Sequence, residues 1–309
     1  MGAERRPVLV IAARCGRLAN RLVLFANVIA FAQEHGFRLI NFTFHSYAHL
    51  FESTRHDIYC QHPPPARPGL FDRLPGVSAA IRTTRLFYHV TRAAGVLNGY
   101  CPLWGERVLT FREPHGSLVS LEDPQLADRF GKCRLVFLFG WTFRAPTLVE
   151  QQAPRLREYF RIRAEDELAS RQVVEALRHR AELVIGVHIR QGDYQDWRGG
   201  KYYFPISQYQ SWMGQLTRQF SGRKLAFLVC SNEARQAQEF PGLDVGFATG
   251  VPVQDLYALA RCDYVMGPVS SFSQWASFYG KVPLLHLRNA QMPVELDQFR
   301  VSYLAEIPM

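Results

Sequence analysis

The stretch Val184-Ile-Gly-Val-His-Ile-Arg-Gln-Gly-Asp-Tyr194 constrains the fold more than any other part of the chain. Val184, Ile185, Val187 and Ile189 form a β-branched run, the composition of a strand buried on both faces of a parallel sheet. At its carboxyl end the run turns abruptly to Arg190, Gly192 and Asp193. Open parallel sheets hold ligands just outside the carboxyl ends of their strands. A fixed cation there, followed by a glycine that admits close backbone approach, suits a diphosphate. A strand ending in a solvated Arg-Gly-Asp turn fits the same residues.

The rest of the C-terminal half repeats the pattern. Strands are predicted at 183–189, 225–229, 245–248, 264–266 and 282–287. Helices are predicted from Pro205, near Glu233, at 253–260 and at 271–279, the last closed by Gly280. Strand–helix alternation of this kind means a parallel sheet with right-handed crossovers. The N-terminal half opens the same way, with a strand at 7–13, a glycine loop at 14–20, a helix at 21–34 capped by Gly36, and a strand at 37–44. A further strand is predicted at 135–139. The pattern turns helical and charge-mixed over 147–180, with Pro154 as a break. A length of 309 residues suits two cores rather than one. The predicted domains are therefore 1–165 and 166–309, both α/β and Rossmann-like, with parallel sheets facing a cleft.

Composition narrows the partners. With 48% hydrophobic and 20% charged residues the chain is globular, and its net charge of +9 predicts affinity for polyanions or anionic surfaces. The positive charge is dispersed, with no basic block that reads as a nucleic-acid arm, and the aromatics follow core periodicity, so no nucleic-acid partner is expected. Cys15, Cys60, Cys101, Cys133, Cys230 and Cys262 are scattered without a C-x-x-C pair, which argues against a metal site and for a reducing compartment. The apolar run near the start is too short for a signal sequence or a span, so a cytoplasmic location is expected. The proline-rich stretch 62–69 reads as a surface loop.

Between Arg82 and Arg112, Arg82, Arg85, Arg92 and Arg107 face a single acid, Glu106, and are interleaved with Phe87, Tyr88, Leu97, Tyr100 and Trp104. The region reads either as an ordinary helix with solvated arginines or as a peripheral contact with the inner face of an anionic membrane.

Two further clusters carry chemistry. Ser270 and Ser271 follow a strand and open a helix, where hydroxyls and free backbone N–H groups either cap the helix or bind an anion. Asp255 sits in the first turn of its helix, favoured there by the dipole. A carboxylate can also accept both N–H donors of a guanine edge.

These residues fall into ordered blocks. His188-Ile-Arg-Gln-Gly-Asp-Tyr194 with Tyr202-Tyr203 resembles the H-x-R-R-G-D-Y…Y-Y motif of the α1,2-fucosyltransferases and their α1,6- and protein O-fucosyltransferase relatives. Asp255-Leu-Tyr-Ala-Leu-Ala-Arg-Cys-Asp263 with Ser270-Ser-Phe-Ser-Gln-Trp-Ala276 resembles the second block of that family, and Gly16-Arg-Leu-Ala-Asn-Arg21 its N-terminal loop. Phe139-Gly-Trp141 with Tyr159-Phe160 is a weaker echo of a fourth. The resemblance implies a GT-B architecture and an inverting transfer of fucose from GDP-β-L-fucose to a sugar hydroxyl, in an α1,2 linkage, without a metal or other cofactor.

By position it implies that Arg190 grips the β-phosphate, with Arg17 and Asn20 facing the donor from the N-terminal domain. His188 and Asp255 would hold the guanine, Ser270 and Ser271 the phosphates, and Asn232 a ribose- or guanine-side contact. Gly192 and Asp193 would complete the donor loop. Asp193 is a poor general base beside Arg190. His45, His49 and His56 read as exposed loop histidines. The acceptor would be an oligosaccharide or lipid-linked glycan. Gln191 replaces the second motif arginine, Ala19 a glycine, Arg21 a glutamine and Gln274 a tryptophan. These departures leave open another nucleotide sugar, or a relative that binds GDP or glycan without transfer.

Overall fold

The structure, a computed structural model, describes residues 6–65, 77–102, 104–114 and 117–306. It comprises two compact units, one running to Arg163 and taking back the segment at Leu304, the other spanning Ala164–Tyr303. The return of the tail to the first unit is marked by Asn27, whose side-chain amide donates to the Leu304 carbonyl at 3.5 Å.

The first unit contains β1 (Val8–Ile11), α1 (Leu18–Glu34), β2 (Arg38–Ile40), α2 (Val77–Tyr100), β3 (Val108–Arg112) and β4 (Val119–Ser120). It continues with α3 (Pro124–Gly131), β5 (Leu135–Phe139), β6 (Phe143–Arg144), α4 (Pro146–Gln151) and α5 (Ala153–Tyr159). Its main sheet is parallel, in the order β2-β1-β5-β3, and β4 pairs separately with β6. Helix α1 is buried from Leu18 to Ala32 apart from Asn20, as expected of a helix apolar on nearly every side. Phe25 anchors it, with Phe44, Tyr159 and Phe160 ring centroids 5.4–5.6 Å away.

Two N-terminal bounds differ from the sequence reading. The first helix starts at Leu18 rather than residue 21, because Gly16 adopts a left-handed conformation (φ +47°) and Arg17 is extended, so the chain enters the helix directly. The strand expected to reach residue 44 ends at Ile40, where the chain folds into a 3₁₀ turn, Phe42–Ser46, that packs against α1 and α2. The proline-rich stretch 62–69 lies partly outside the described residues.

The second unit follows the order α6 (Ala164–Arg178), β7 (Leu183–Ile189), α7 (Ile206–Gln219), β8 (Leu225–Ser231), β9 (Val245–Phe247), α8 (Pro252–Leu259), β10 (Tyr264–Pro268), α9 (Ser271–Gly280) and β11 (Leu284–Leu287). All five strands are parallel, ordered β11-β10-β7-β8-β9. The first strand in sequence is thus central, and successive strands are added first on one side and then on the other. Every residue of β7 is buried. Its odd positions, Ile185, Val187 and Ile189, join Tyr209, Trp212, Met213 and Leu216 of α7 in one apolar cluster. Its even positions face α8 and α9, as the two-residue period of a strand requires.

A helix expected near Glu233 is absent. Residues 232–236 form a loop followed by a 3₁₀ turn at Ala237–Glu239, because Arg235 bridges Glu233 and Glu239 and the segment has no apolar stripe to bury.

Gly186 shows how tightly α8 lies on β7. A Cβ there would stand 2.6 Å from Leu259 Cδ2 and 3.2 Å from Cys262 Sγ. Gly186→Ala is expected to lower stability by about 1–3 kcal/mol through overpacking, read from the midpoint of urea unfolding. An unchanged midpoint would show that α8 can yield at no cost.

Candidate functional site

Strands β7 and β10 are neighbours, yet the connections leaving them run to opposite sides of the sheet. In a doubly wound sheet this reversal leaves a crevice outside the carboxyl ends of the two strands. Arg190 leaves β7 at that edge, and Ser270 follows β10 at the same edge. Tyr194 links the two turns, its hydroxyl donating to the Val269 carbonyl at 3.2 Å.

Arg190 is held but not consumed. Its Nη2 donates to Asp193 Oδ2 at 2.6 Å and its guanidinium lies 5.6 Å from the Tyr194 ring centroid, with the side chain 19% exposed. Among the described residues Asp193 is its one side-chain hydrogen-bond partner, so most donors of the planar fork remain accessible. Gly192 takes a left-handed turn (φ +59°) where a Cβ would stand 3.2 Å from both Asn232 Nδ2 and Glu233 Oε1. The left-handed conformation favours glycine here.

The neutral neighbour Gln191 is only 5% exposed and turns inward. Its Nε2 donates to the Phe204 carbonyl at 2.8 Å, and its Oε1 accepts from Arg235 Nη2. Asn232 completes the support: its Oδ1 accepts from the Gln191 N–H at 2.8 Å and its Nδ2 donates to the Gln191 carbonyl at 3.0 Å. The side-chain amide mimics a strand partner, extending the β7–β8 pairing one residue past Ser231. Asn232 thus faces the Arg190 turn from behind. The sequence reading did not pick out Arg235, because a contact with Gln191 across 44 positions leaves no local pattern.

At the other turn, Ser270 is the N-cap of α9, its Oγ accepting from the Phe272 N–H at 3.1 Å. Ser270 and Ser271 are both buried, at 7% and 8% exposure. His188, the last even position of β7, lies under this helix start. Its ring stacks on Phe272 with centroids 5.0 Å apart, and its Nδ1 is 3.0 Å from Ser273 Oγ. Burial, then the charges of Arg190 and His286, lower its pKa to about 3, so it is neutral at ordinary pH. Asp255 stands on α8, where Oδ1 accepts from Thr249 Oγ1 at 2.9 Å and from the Gly250 N–H at 3.1 Å. Burial raises its pKa against these bonds. The structure therefore gathers Arg190, Gly192, Asp193, Asn232, His188, Ser270 and Ser271 at one strand edge, with Asp255 on the helix that follows β9.

Arg17 and Asn20 belong to the first unit, at the carboxyl edge of β1. Arg17 is exposed at the N-cap position of α1, and Asn20 lies on Gly16, where a Cβ would fall 2.0 Å from its Nδ2. Arg21 is buried and holds the loop, donating to the Thr43 carbonyl at 2.8 Å and the Gly16 carbonyl at 3.3 Å. Its departure from the glutamine pattern thus has a structural reason. A second buried cation, Arg144, donates to the Trp141 and Phe143 carbonyls. Burial lowers its pKa to about 10. Glu113 caps the adjoining turn, accepting from the N–H groups of Trp141 and Thr142.

His45 corrects the expectation of an exposed loop histidine: it is 4% exposed. Burial, followed by Arg21, Arg14, Arg85 and His89, brings its pKa to about 4. The 3₁₀ turn that replaces the expected strand end carries it inward. Among the described residues, no group of three or more His, Cys, Asp or Glu converges as metal ligands, and no helix is long and apolar enough to cross a membrane.

The family model for glycosyl transferase family 11 matches residues 137–293. No curated protein sequence matches the chain. Among solved structures, an Arabidopsis thaliana FUT1 variant in complex with GDP is 14% identical, covering 97% of this chain and 74% of its own, with a TM-score of 0.57. Fucosyltransferase NodZ from Bradyrhizobium is 15% identical over 91% of this chain and 95% of its own (TM-score 0.54). POFUT1 in complex with GDP-fucose is 12% identical over 93% and 98% (TM-score 0.54). At these identities the likeness is one of fold, and that fold is GT-B.

The packing around α9 has two measurable consequences. The folded-state pKa of His188 lies below the unfolded value near 6.5, so the unfolded chain binds a proton that the folded chain refuses. Stability must then fall as pH drops from 6.5 toward about 3. At pH 5 the loss from this one histidine is about 2 kcal/mol, and His188→Gln should remove that share of the slope in urea titrations. An equal slope in the variant would contradict the assignment. Gln274 is fully buried and neither side-chain polar atom has a partner among the described residues. Gln274→Met is expected to raise stability by about 1–3 kcal/mol, and a lowered unfolding midpoint would refute this.

Proposed function

This chain belongs to glycosyl transferase family 11, and we propose that it transfers L-fucose from GDP-β-L-fucose to a sugar hydroxyl of a glycan. The transfer forms an α1,2 linkage, inverts the anomeric centre and needs no metal. The observation that supports this reading best is the accessible Arg190 fork beside the N-terminus of α9 at the β7–β10 edge.

Departure of GDP places growing negative charge on the β-phosphate oxygen while the sugar becomes oxocarbenium-like. The Arg190 guanidinium meets that charge, reinforced by Ser270, Ser271 and the backbone N–H groups of the first turn of α9. Because Asp193, Tyr194, Gln191 and Asn232 fix the cation before the reaction begins, little reorganisation is needed as charge develops. Neutral His188 shapes the floor beside Phe272, and the Asp255 carboxylate accepts from guanine. Asn232 acts as a positioning residue through Gln191. Arg17 and Asn20 contribute donor-side contacts from the N-terminal motif.

Arg190→Lys is expected to lower the transfer rate by about 10²–10³ with GDP-fucose, since a point charge cannot reproduce the bidentate fork. Wild-type-like turnover by this variant would sink the assignment. In thermal unfolding, GDP at 100 times its Kd should add about 2.7 kcal/mol, with no comparable gain from UDP. Selective stabilisation by UDP would overturn the choice of donor.

A further inference from the structure

Helix α2 contains no acidic residue across Val77–Tyr100, but carries Arg82, Arg85, His89 and Arg92. Its inner face is fixed. Gly95 lies against Phe137 and Phe139, where a Cβ would come within 2.9 Å and 2.8 Å of the rings, and Thr110 Oγ1 donates to the Gly95 carbonyl at 2.8 Å. Asn98 Nδ2 donates to the Val108 carbonyl at 3.1 Å, and Thr84 and Tyr88 are buried on the same side. The outward face is thereby set, and it is not the polar face of an ordinary surface helix. Leu86, Val90, Leu97 and Tyr100 are 62%, 58%, 56% and 85% exposed, and Ala93 is exposed between them.

Their spacing of alternately four and three residues places all five on one narrow stripe, roughly 21 Å long at 1.5 Å per residue. Trp104, 50% exposed, stands just beyond the end of the helix. Arg82, Arg85, His89 and Arg92 are all exposed and line one side of the stripe, and the first acid after the helix is Glu106.

We propose that α2 lies flat on an anionic lipid surface, with Leu86, Val90, Leu97 and Tyr100 inserted at the headgroup–acyl boundary and Arg82, Arg85 and Arg92 on the anionic headgroups. An apolar stripe bordered by a row of cations, on a helix without acids, is the pattern of an interfacial helix. Charge complementarity selects the occupant. A second copy of this chain would bring the same arginines together across a shared face, whereas an anionic bilayer pairs each with an opposite charge. The net charge of +9 acts in the same direction at longer range.

The test is co-sedimentation of the full chain with vesicles of phosphatidylcholine alone or mixed equally with phosphatidylglycerol, without nucleotide. Binding is expected to the mixed vesicles only, and to weaken as salt rises. Leu86→Ser with Leu97→Ser should lower vesicle affinity tenfold or more (on the order expected for losing two buried leucines). Arg82→Gln with Arg92→Gln should lower it by about 25-fold, from roughly fivefold per arginine. An unchanged urea-unfolding midpoint in both variants, without nucleotide, shows that each remains folded and keeps this test independent of the proposed donor. No sedimentation with mixed vesicles at low salt, or binding indifferent to both double variants, would overturn the proposal. So would a wild-type dimer in sedimentation velocity that the leucine variant converts to monomer, which would show a second copy on the stripe.

Discussion

The site rests on the parallel pairing of β7 with β10 at the point where the second sheet changes its direction of winding. Val265 pairs with Gly186 and Met266 with Val187, so the two strands reach the carboxyl edge together. Their continuations then part, and the chain supplies a cation from one side and a helix N-terminus from the other. Neither would suffice alone: Arg190 without α9 is a surface arginine, and Ser270 without Arg190 is a helix cap. The register brings them to one place.

What keeps Arg190 there is a set of side chains behind the β7–β10 edge. Asn232 pairs with the Gln191 backbone, Gln191 pins the Phe204 carbonyl, and Arg235 ties Gln191 to Glu233 and Glu239. The loss of a second motif arginine at 191 therefore reads as a change of support rather than a bare gap. Gln191 is buried in the wall of the turn, and the nearby positive charge comes from Arg235, whose side chain is only 10% exposed. Across the same edge, His188 is kept neutral by burial beneath Phe272 and leaves Arg190 as the cation of that turn.

Much of this was legible in the chain itself. The β-branched run of β7, the serines opening α9 and the Gly16 loop before α1 are local signals, and local signals survive in a linear reading. The alternation of strands and helices predicted parallel sheets, and the ordered motifs pointed to the family and to GT-B. Illegible features were those made by distant pairs. Nothing near Arg235 marks it as the partner of Gln191, and nothing near His45 shows that a 3₁₀ turn will carry it inward against Tyr88. The helix expected near Glu233 failed because composition there permits one while the ion pairs of Arg235 favour a compact turn. The outward stripe of α2 was half visible: its arginines were plain, but only the packing of Gly95 and Asn98 shows which apolar residues are left outside.

Whether a nucleoside diphosphate sits at the β7–β10 edge, as proposed, is decided by a crystal structure of the chain with GDP. The β-phosphate is expected within hydrogen-bond distance of the Arg190 guanidinium and of the first-turn N–H groups of α9, with guanine at Asp255. A well-ordered GDP whose phosphates touch neither Arg190 nor the start of α9 would contradict it.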